Sequence, residues 1–184
     1  MIFWGELLPR TTIGTSISNS SILSILRSDG KKIITVEEYS WNKSVIGKVF
    51  HYITSSIKLI YFSFCYRSKY FYFMMPPSKS GLMKLVLLLP FLRIIKRYTV
   101  FTAHIHRGDF LTFYKASKIN KTLVKFTFIF IDKIIVLSPY FEKQVREAGY
   151  KKNVEFLRNT SSFEKVKFNL ESKESNSFIS IINY

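Results

Sequence analysis

Short apolar runs alternate with longer segments of helical period along the chain, and this alternation predicts the fold. Runs such as KKIITV, YFYFMM, YTVFTAH and KIIVLS are bounded by Gly, Pro or polar residues. Between them, apolar side chains recur every three or four residues, as at Ile53, Ile57 and Ile60. Strands that alternate with helices in this way are typical of βα units stacked into a parallel sheet. The pattern therefore predicts an α/β fold built on a parallel sheet with helices on both faces.

Local signals predict several boundaries within this pattern. Pro90 is expected to end or kink the helix that begins near Leu82. One helix is expected from about residue 113 to 130. After KIIVLS, Ser138 suits a helix cap and Pro139 suits the first helical turn.

The character of the chain changes after the predicted strand VEFLRN at 154–159. Residues 161–177 are dominated by Ser, Lys, Glu and Asn, which is typical of a linker. An apolar run follows at 178–184. We therefore predict one domain over residues 1–160, a linker over 161–177, and at 178–184 the first strand of a second domain that is otherwise missing.

The charge balance favours an anionic partner. Twenty-eight Lys and Arg against 12 Asp and Glu give a formal net charge of +16. A phosphorylated ligand, an acidic membrane face and a nucleic acid all suit this charge. No helix-turn-helix, zinc finger or RNP-like motif accompanies the basic residues, so we expect no nucleic-acid partner. Codon bias toward A and T would explain much of the same composition.

Several observations favour a cytoplasmic location. The most apolar window, at 82–95, is shorter than the roughly twenty residues that span a bilayer. No signal peptide is evident at the N-terminus. The single cysteine, Cys65, excludes an internal disulfide and fits a reducing compartment.

Two histidines follow each other closely where a buried strand is predicted to end, in TAHIHRGDF at 102–110. Ligands of open α/β sheets bind outside the carboxyl ends of the strands. His104 and His106 are two residues apart, so on a strand they share a face. Either both reach one ligand, or one is buried against the sheet. No third metal-binding side chain stands at suitable spacing, so we expect no zinc site.

A second candidate region is the loop and helix start around Gly14. A glycine there lets backbone N–H groups approach an anion at the helix N-terminus, and Thr15 and Ser16 have hydroxyls that donate to a phosphate. A plain turn glycine and ordinary helix capping explain the same residues.

A third candidate is the basic surface around the HRGD loop. Arg107, Asp109 and Lys115 are candidates for binding a phosphate-linked acceptor or the anionic inner leaflet. A solvated helix face is the alternative interpretation, and for Asp109 the commoner role is to cap the turn that follows.

Taken in order, three blocks resemble the N-terminal half of a GT-B glycosyltransferase, of the retaining group usually called family four. They are PRTTIGTSISNSSILSILRSDG, TAHIHRGDF with the aromatic pair FY after it, and DKIIVLSPYFEKQV with VEFLRN. The resemblance spans about residues 1–160. It implies two Rossmann-like domains that face each other across a cleft. The N-terminal domain of such enzymes mainly holds the acceptor, and the C-terminal domain mainly holds the nucleotide sugar.

The resemblance also implies roles for individual residues. His106, or failing that His104, would contact the donor sugar or the acceptor, and Gly14 would lie near the donor phosphates. Asn159 would be a hinge at the domain crossover. The reaction would be hexosyl transfer from a nucleotide sugar to a surface polysaccharide or lipid-linked acceptor, with no other cofactor.

The chain departs from the family because the C-terminal donor domain is missing. We therefore expect a truncated or remnant enzyme, completed only if a separate chain supplies the donor domain. The alternative function is non-catalytic: a basic module at the inner face of the membrane, or the acceptor-binding subunit of a split transferase.

Overall fold

The computed structural model of the protein describes residues 1–8, 14–38, 44–76 and 78–157. Asn159, the predicted linker at 161–177 and the predicted strand at 178–184 lie outside the described residues. The strands are β1 (Ile2–Gly5), β2 (Ile34–Glu37), β3 (Tyr70–Met74), β4 (Val100–Ile105), β5 (Lys133–Val136) and β6 (Asn153–Phe156). The helices are α1 (Gly14–Ser28), α2 (Val45–Cys65), α3 (Lys79–Ile95), α4 (Phe110–Lys115), α5 (Lys118–Phe130) and α6 (Pro139–Glu147).

The strands form one parallel sheet in the order β2-β1-β3-β4-β5-β6. The chain leaves β1 toward β2 on one side and then returns past β1 to start β3 on the other. This reversal makes the carboxyl ends of β1 and β3 the topological switch point, where ligands of open α/β sheets bind. The predicted α/β, Rossmann-like fold is confirmed.

The two faces of the sheet carry different layers. On one face, strand residues such as Trp4, Phe73 and Ala103 form the main core with residues of α2 to α6. On the other, Phe3 and Tyr72 pack with Leu23 of α1. Strand residues alternate between the faces, so the residues flanking Tyr72 along β3 point into the main core.

Pro90 does not end α3, which continues to Ile95. Proline within a helix costs about 3 kcal/mol because it removes a hydrogen bond and crowds the preceding turn. Leu88, Leu89 and Leu92 are buried around it, and burial of each leucine contributes about 1.5–3 kcal/mol. Packing against the sheet therefore outweighs the local cost.

The prediction of one helix over 113–130 is wrong, because the segment is broken between Lys115 and Lys118. Ser117 is extended, and its Oγ accepts a hydrogen bond from the backbone N–H of Asn120 at 3.0 Å. The Asn120 side chain then donates to the carbonyl of Phe113 at 2.8 Å, which ties α5 to α4. The capping hydrogen bond to Ser117 starts a new helix at Lys118 and so separates α5 from α4.

Two predicted caps are confirmed only in position. Pro139 opens α6 and Ser138 precedes it, yet the Ser138 side chain forms no capping hydrogen bond. Asp109 likewise precedes α4 without capping it, because its carboxylate is engaged by Arg107.

Candidate functional site

The two histidines of TAHIHRGDF meet at the carboxyl end of β4. Their rings are 3.9 Å apart between centroids, and Nε2 of His106 lies 3.2 Å from Nδ1 of His104. His104 is fully buried, whereas His106, one residue past the strand, is half-buried. The expectation that the pair shares one face is confirmed. Of the two alternatives, the structure shows the burial of one ring, that of His104, while the ring of His106 reaches the edge of the sheet.

Tyr72 supports the pair from the neighbouring strand. Its hydroxyl lies 2.5 Å from Nδ1 of His104. On its other side, the ring stacks on Phe3 with centroids 4.6 Å apart. Side chains from β1, β3 and β4 are thereby linked beside the switch point, and the buried tyrosine fixes the position of the His104 ring.

Both imidazoles are neutral near pH 7. Burial, together with the neighbouring His106, lowers the pKa of His104 to about 3, and burial lowers the pKa of His106 to about 4. Burial also raises the pKa of the Tyr72 hydroxyl far above its usual range, so the phenol keeps its proton. No positive charge develops on this part of the site at neutral pH.

Two proton arrangements fit these contacts, because a protonated phenol both donates and accepts. With the proton of His104 on Nε2, the Tyr72 hydroxyl donates to Nδ1 of His104, and Nδ1 of His106 is left to accept from a ligand. With that proton on Nδ1, the Tyr72 hydroxyl accepts, and Nδ1 of His106 carries a proton that it donates to a ligand. In both arrangements Nε2 of His104 has no partner in the described part of the chain.

The arrangement suits a neutral hydroxyl ligand better than an anion at this point. A neutral imidazole accepts a directed hydrogen bond from an O–H group, but it offers no charge to a phosphate. With a pKa of about 4, His106 is also a weak base near pH 7. Its chemistry is therefore to orient a hydroxyl group.

The HRGD loop continues from His106 with an internal ion pair. Nε and Nη2 of Arg107 lie 2.6 and 2.8 Å from the two carboxylate oxygens of Asp109. The guanidinium also lies over the Phe113 ring, 4.3 Å from its centroid. The hydrogen bond from Arg107 lowers the pKa of Asp109. Asp109 thus orients Arg107, and Lys115 is paired with Glu147 of α6 at 2.5 Å.

The second candidate region, around Gly14, lies at the start of α1. Gly14 is exposed and is the first residue of the helix, and a Cβ added there would meet nothing within 4 Å among the described residues. Thr15 is half-buried, and Ser16 is fully buried. The helix passes close to the sheet, because a Cβ on Gly5 would lie 3.0 Å from Nδ2 of Asn19. Residues 9–13, between β1 and α1, lie outside the described residues.

A separate cluster lies after β1 and β2. Nζ of Lys84 is 2.9 Å from Oε1 of Glu38 and 4.8 Å from the centroid of the Tyr52 ring. Burial, reinforced by the Glu38 charge, raises the pKa of Glu6, while Lys84 opposes this shift. The sequence reasoning did not single out these residues.

Tyr72 also belongs to the site, and it was not predicted from the sequence. Alternation along YFYFMM was sufficient to place it on the face opposite Phe71 and Phe73. Its pairing with β4, in which Tyr72 is opposite Thr102, could not be read from the sequence. In the described part of the chain, no three His, Cys, Asp or Glu side chains are grouped as metal ligands would be.

No protein-family model matches the chain, and no curated protein sequence matches it.

Proposed function

We propose that the described domain is the N-terminal, acceptor-side half of a retaining GT-B glycosyltransferase. The complete enzyme would transfer a hexose from a nucleotide sugar to a surface polysaccharide or lipid-linked acceptor. The parallel sheet with its switch point supports the proposal, as does the order of the sequence blocks that resemble this family. The fold alone hosts many functions, so the proposal depends on the site.

The observation that carries the proposal is the chain of contacts from Tyr72 through His104 to His106. It ends in a neutral, half-buried imidazole at the carboxyl edge of the sheet. A sugar presents uncharged hydroxyl groups, which such a nitrogen accepts without the cost of burying a charge. In the proposed function, His106 binds a sugar hydroxyl. Tyr72 and His104 hold the imidazole ring of His106 in position.

The donor phosphates require different groups. The N-terminus of α1, opened by Gly14, is the proposed contact for the diphosphate, since its backbone N–H groups and helix dipole favour an anion. Arg107 is the nearest arginine to the histidine pair in sequence and is held by Asp109. Most of the charge stabilisation during transfer would come from a donor domain, whether on a longer chain or on a separate one. We place the enzyme in the cytoplasm at the inner face of the membrane.

The second candidate function is a non-catalytic basic module or an acceptor-binding subunit. The net charge of +16 favours it, and the function needs no donor domain. The two candidates differ in their response to nucleotide sugars, which only a glycosyltransferase domain should recognise.

Saturation-transfer NMR with the full chain separates the two. The probes are UDP-glucose, UDP-N-acetylglucosamine and GDP-mannose. UDP and GDP, which lack the hexose, are the controls. We expect at least one probe to receive saturation at its hexose protons. His106→Ala should abolish this transfer. His51→Ala, which removes the one histidine of the chain outside this pair, should leave it unchanged.

Either of two results would refute the proposal: no probe receives saturation at its sugar protons, or His106→Ala leaves the signal intact.

A further inference from the structure

The outward face of α2 carries a continuous row of large apolar side chains. They recur at spacings of three and four residues, so they lie along one side of the helix. Each is at least 49% exposed. The row consists of Ile46, Phe50, Ile53, Ile57, Tyr61 and Phe64.

The inward face of α2 carries polar as well as apolar side chains, since Ile60 and Phe62 pack against the core. Ser55 and Ser63 are buried there beside Leu59. The hydroxyls of Ser56 and Ser63 have no hydrogen-bond partner among the described residues. A surface helix of a water-exposed protein normally places its polar side chains outward and its apolar ones inward. The apolar row on the outward side of α2 departs from this order, and it indicates that this side meets an apolar environment.

The adjacent helix α3 continues this surface. Its inward side is buried through Leu82, Leu85 and Leu92, and its outward side is also apolar. The outward row consists of Met83, Leu87, Phe91, Ile94 and, just past the helix, Tyr98. We call the two rows together the apolar face.

Contacts between α2 and α3 place the two rows side by side. The Tyr52 hydroxyl lies 3.3 Å from the carbonyl of Lys84, and near the other end Nζ of Lys96 donates to the carbonyl of Tyr66. The two helices therefore run in the same direction. A contiguous exposed apolar area of this kind marks an interaction site.

The helices beside the apolar face carry basic but no acidic side chains, since α2, α3 and α5 contain no Asp or Glu. Two of their eight basic residues are engaged by acidic side chains of other segments, Lys84 by Glu38 and Arg93 by Asp132. The other six are exposed, and they are Lys48, Lys58, Lys79, Lys118, Lys121 and Lys125. Arg67 and Arg97, which follow α2 and α3, are exposed as well. An occupant of this surface must therefore combine an apolar interior with a negatively charged rim.

We propose that the apolar face docks on an anionic lipid bilayer. The Ile, Leu and Phe side chains enter the boundary between headgroups and acyl chains, and the Lys and Arg side chains bind lipid phosphates. No helix of the described residues is long and apolar enough to cross a membrane, so α2 and α3 lie along its surface.

Charge complementarity selects the bilayer over a second copy of the chain. A two-fold dimer brings the same patch of both copies together. Here that would place one basic rim against another, and the helices of the face have no acidic residue to compensate. The inference uses a surface separate from the histidine site, so it does not depend on the proposed glycosyltransferase function.

Vesicle flotation with the full chain tests the proposal. The probes are liposomes of phosphatidylcholine with 30% phosphatidylglycerol, compared with pure phosphatidylcholine. Ile57→Glu places a charge in the apolar face at a side chain that is 60% exposed. Its matched control is Ile25→Glu on α1, where the side chain is 59% exposed on the opposite side of the sheet. Circular dichroism checks that both variants fold.

We expect the wild-type chain to float with the anionic liposomes and to bind pure phosphatidylcholine more weakly. Ile57→Glu should lower the partition coefficient by about tenfold, the effect of losing one buried Ile side chain, whereas Ile25→Glu should change it less than about twofold. A second variant, Phe91→Trp, should show a blue-shifted emission that brominated lipids quench.

Three results with lipid would overturn the proposal. They are no flotation with anionic liposomes, equal losses in the two Glu variants, and an indole at position 91 that stays unquenched while the protein is bound. A dimer in the absence of lipid that Ile57→Glu dissociates would also overturn it, in favour of self-association.

Discussion

The hydroxyl of Tyr72 lies 2.5 Å from Nδ1 of His104, so a tyrosine on the neighbouring strand positions the buried ring of the histidine pair. The phenol keeps its proton and is able to donate to Nδ1 or to accept from it. We expect it to donate, which places the His104 proton on Nε2 and makes His106 the donor in the contact between the two rings. Nδ1 of His106 is then the atom that accepts from a ligand.

Tyr72→Phe should destabilise the protein and disturb the histidine tautomers. The variant keeps the ring that stacks on Phe3 but removes the buried hydrogen bond to Nδ1 of His104, which costs about 0.5–1.5 kcal/mol. Urea denaturation measures the loss, and long-range ¹H–¹⁵N NMR of the imidazoles reports the tautomers. Tyr70→Phe, at an exposed residue of the same strand, is the control and should change stability by less than about 0.5 kcal/mol. An unchanged His104 tautomer in Tyr72→Phe would contradict the assignment.

Stability should fall as the pH is lowered below about 6.5. Unfolding releases both histidines to a pKa near 6.5, whereas in the folded protein the pKa is about 3 for His104 and about 4 for His106. The unfolded state therefore binds more protons between pH 6.5 and 4, and each histidine contributes a slope of about 1.4 kcal/mol per pH unit. Above pH 6.5 this contribution is constant and fully stabilising.

The matching variant is His104→Gln, studied by urea denaturation across the same pH range. Between pH 6.5 and 4, the unfolding free energy of this variant should change less steeply with pH than that of the wild-type chain, because one titrating group is gone. This holds whatever the stability of the variant at pH 7. An identical slope in the two proteins would show that His104 is not held neutral by the fold.

Two glycines at helix N-termini should respond differently to alanine. In Gly81→Ala the new Cβ would lie 2.4 Å from Cβ of Pro76, so we expect a loss of about 1–3 kcal/mol from overpacking. Gly14→Ala meets no described atom, so thermal stability should be unchanged or slightly raised.

Gly14→Ala should nevertheless weaken nucleotide-sugar binding if backbone N–H groups at the start of α1 contact the diphosphate. Isothermal titration with the strongest-binding nucleotide sugar measures this effect. Unchanged affinity in a stable Gly14→Ala protein would remove Gly14 from the proposed phosphate contact.

The ion pair between Arg93 and Asp132 should contribute more to stability than the exposed pairs. Two hydrogen bonds of 2.7 and 2.8 Å join the guanidinium and the carboxylate, which also accepts from the backbone N–H of Phe101. Asp132→Asn should cost about 2 kcal/mol in urea denaturation, since it weakens charged and partly buried hydrogen bonds. Glu147→Gln, which breaks the exposed pair with Lys115, is the comparison and should cost less than about 1 kcal/mol. Equal losses would contradict this ranking.

Much of the sheet could be predicted from the sequence, because its buried strands are short apolar runs with clear boundaries. The break between α4 and α5 could not, since it depends on the hydroxyl of Ser117 competing with continuous helical periodicity. The continuation of α3 past Pro90 could not be predicted either, because it follows from burial of the surrounding leucines against the sheet. Local signals decide such boundaries only where tertiary packing does not override them.

The candidate site could be predicted in part. Spacing alone placed His104 and His106 on one face at a strand end. The partner of His104 depends on strand order, because Tyr72 comes 32 residues earlier in the chain. Arg107, Asp109 and Lys115 were predicted together as an anion-binding set, but the ion pair between Arg107 and Asp109 was not. The pair between Lys115 and Glu147 could not be predicted either, because it depends on the packing of α4 beside α6.

The most direct measurement of the central claim is the NMR signal of the His106 Hε1 proton during titration with nucleotide sugars. The chain has three histidines, so single His→Ala variants assign each signal. We predict that at least one nucleotide sugar shifts the His106 signal, that the matching sugar-free nucleotide does not, and that His51 is unaffected. If every nucleotide sugar leaves His106 unshifted, or if the free nucleotide shifts it equally, His106 does not hold a sugar.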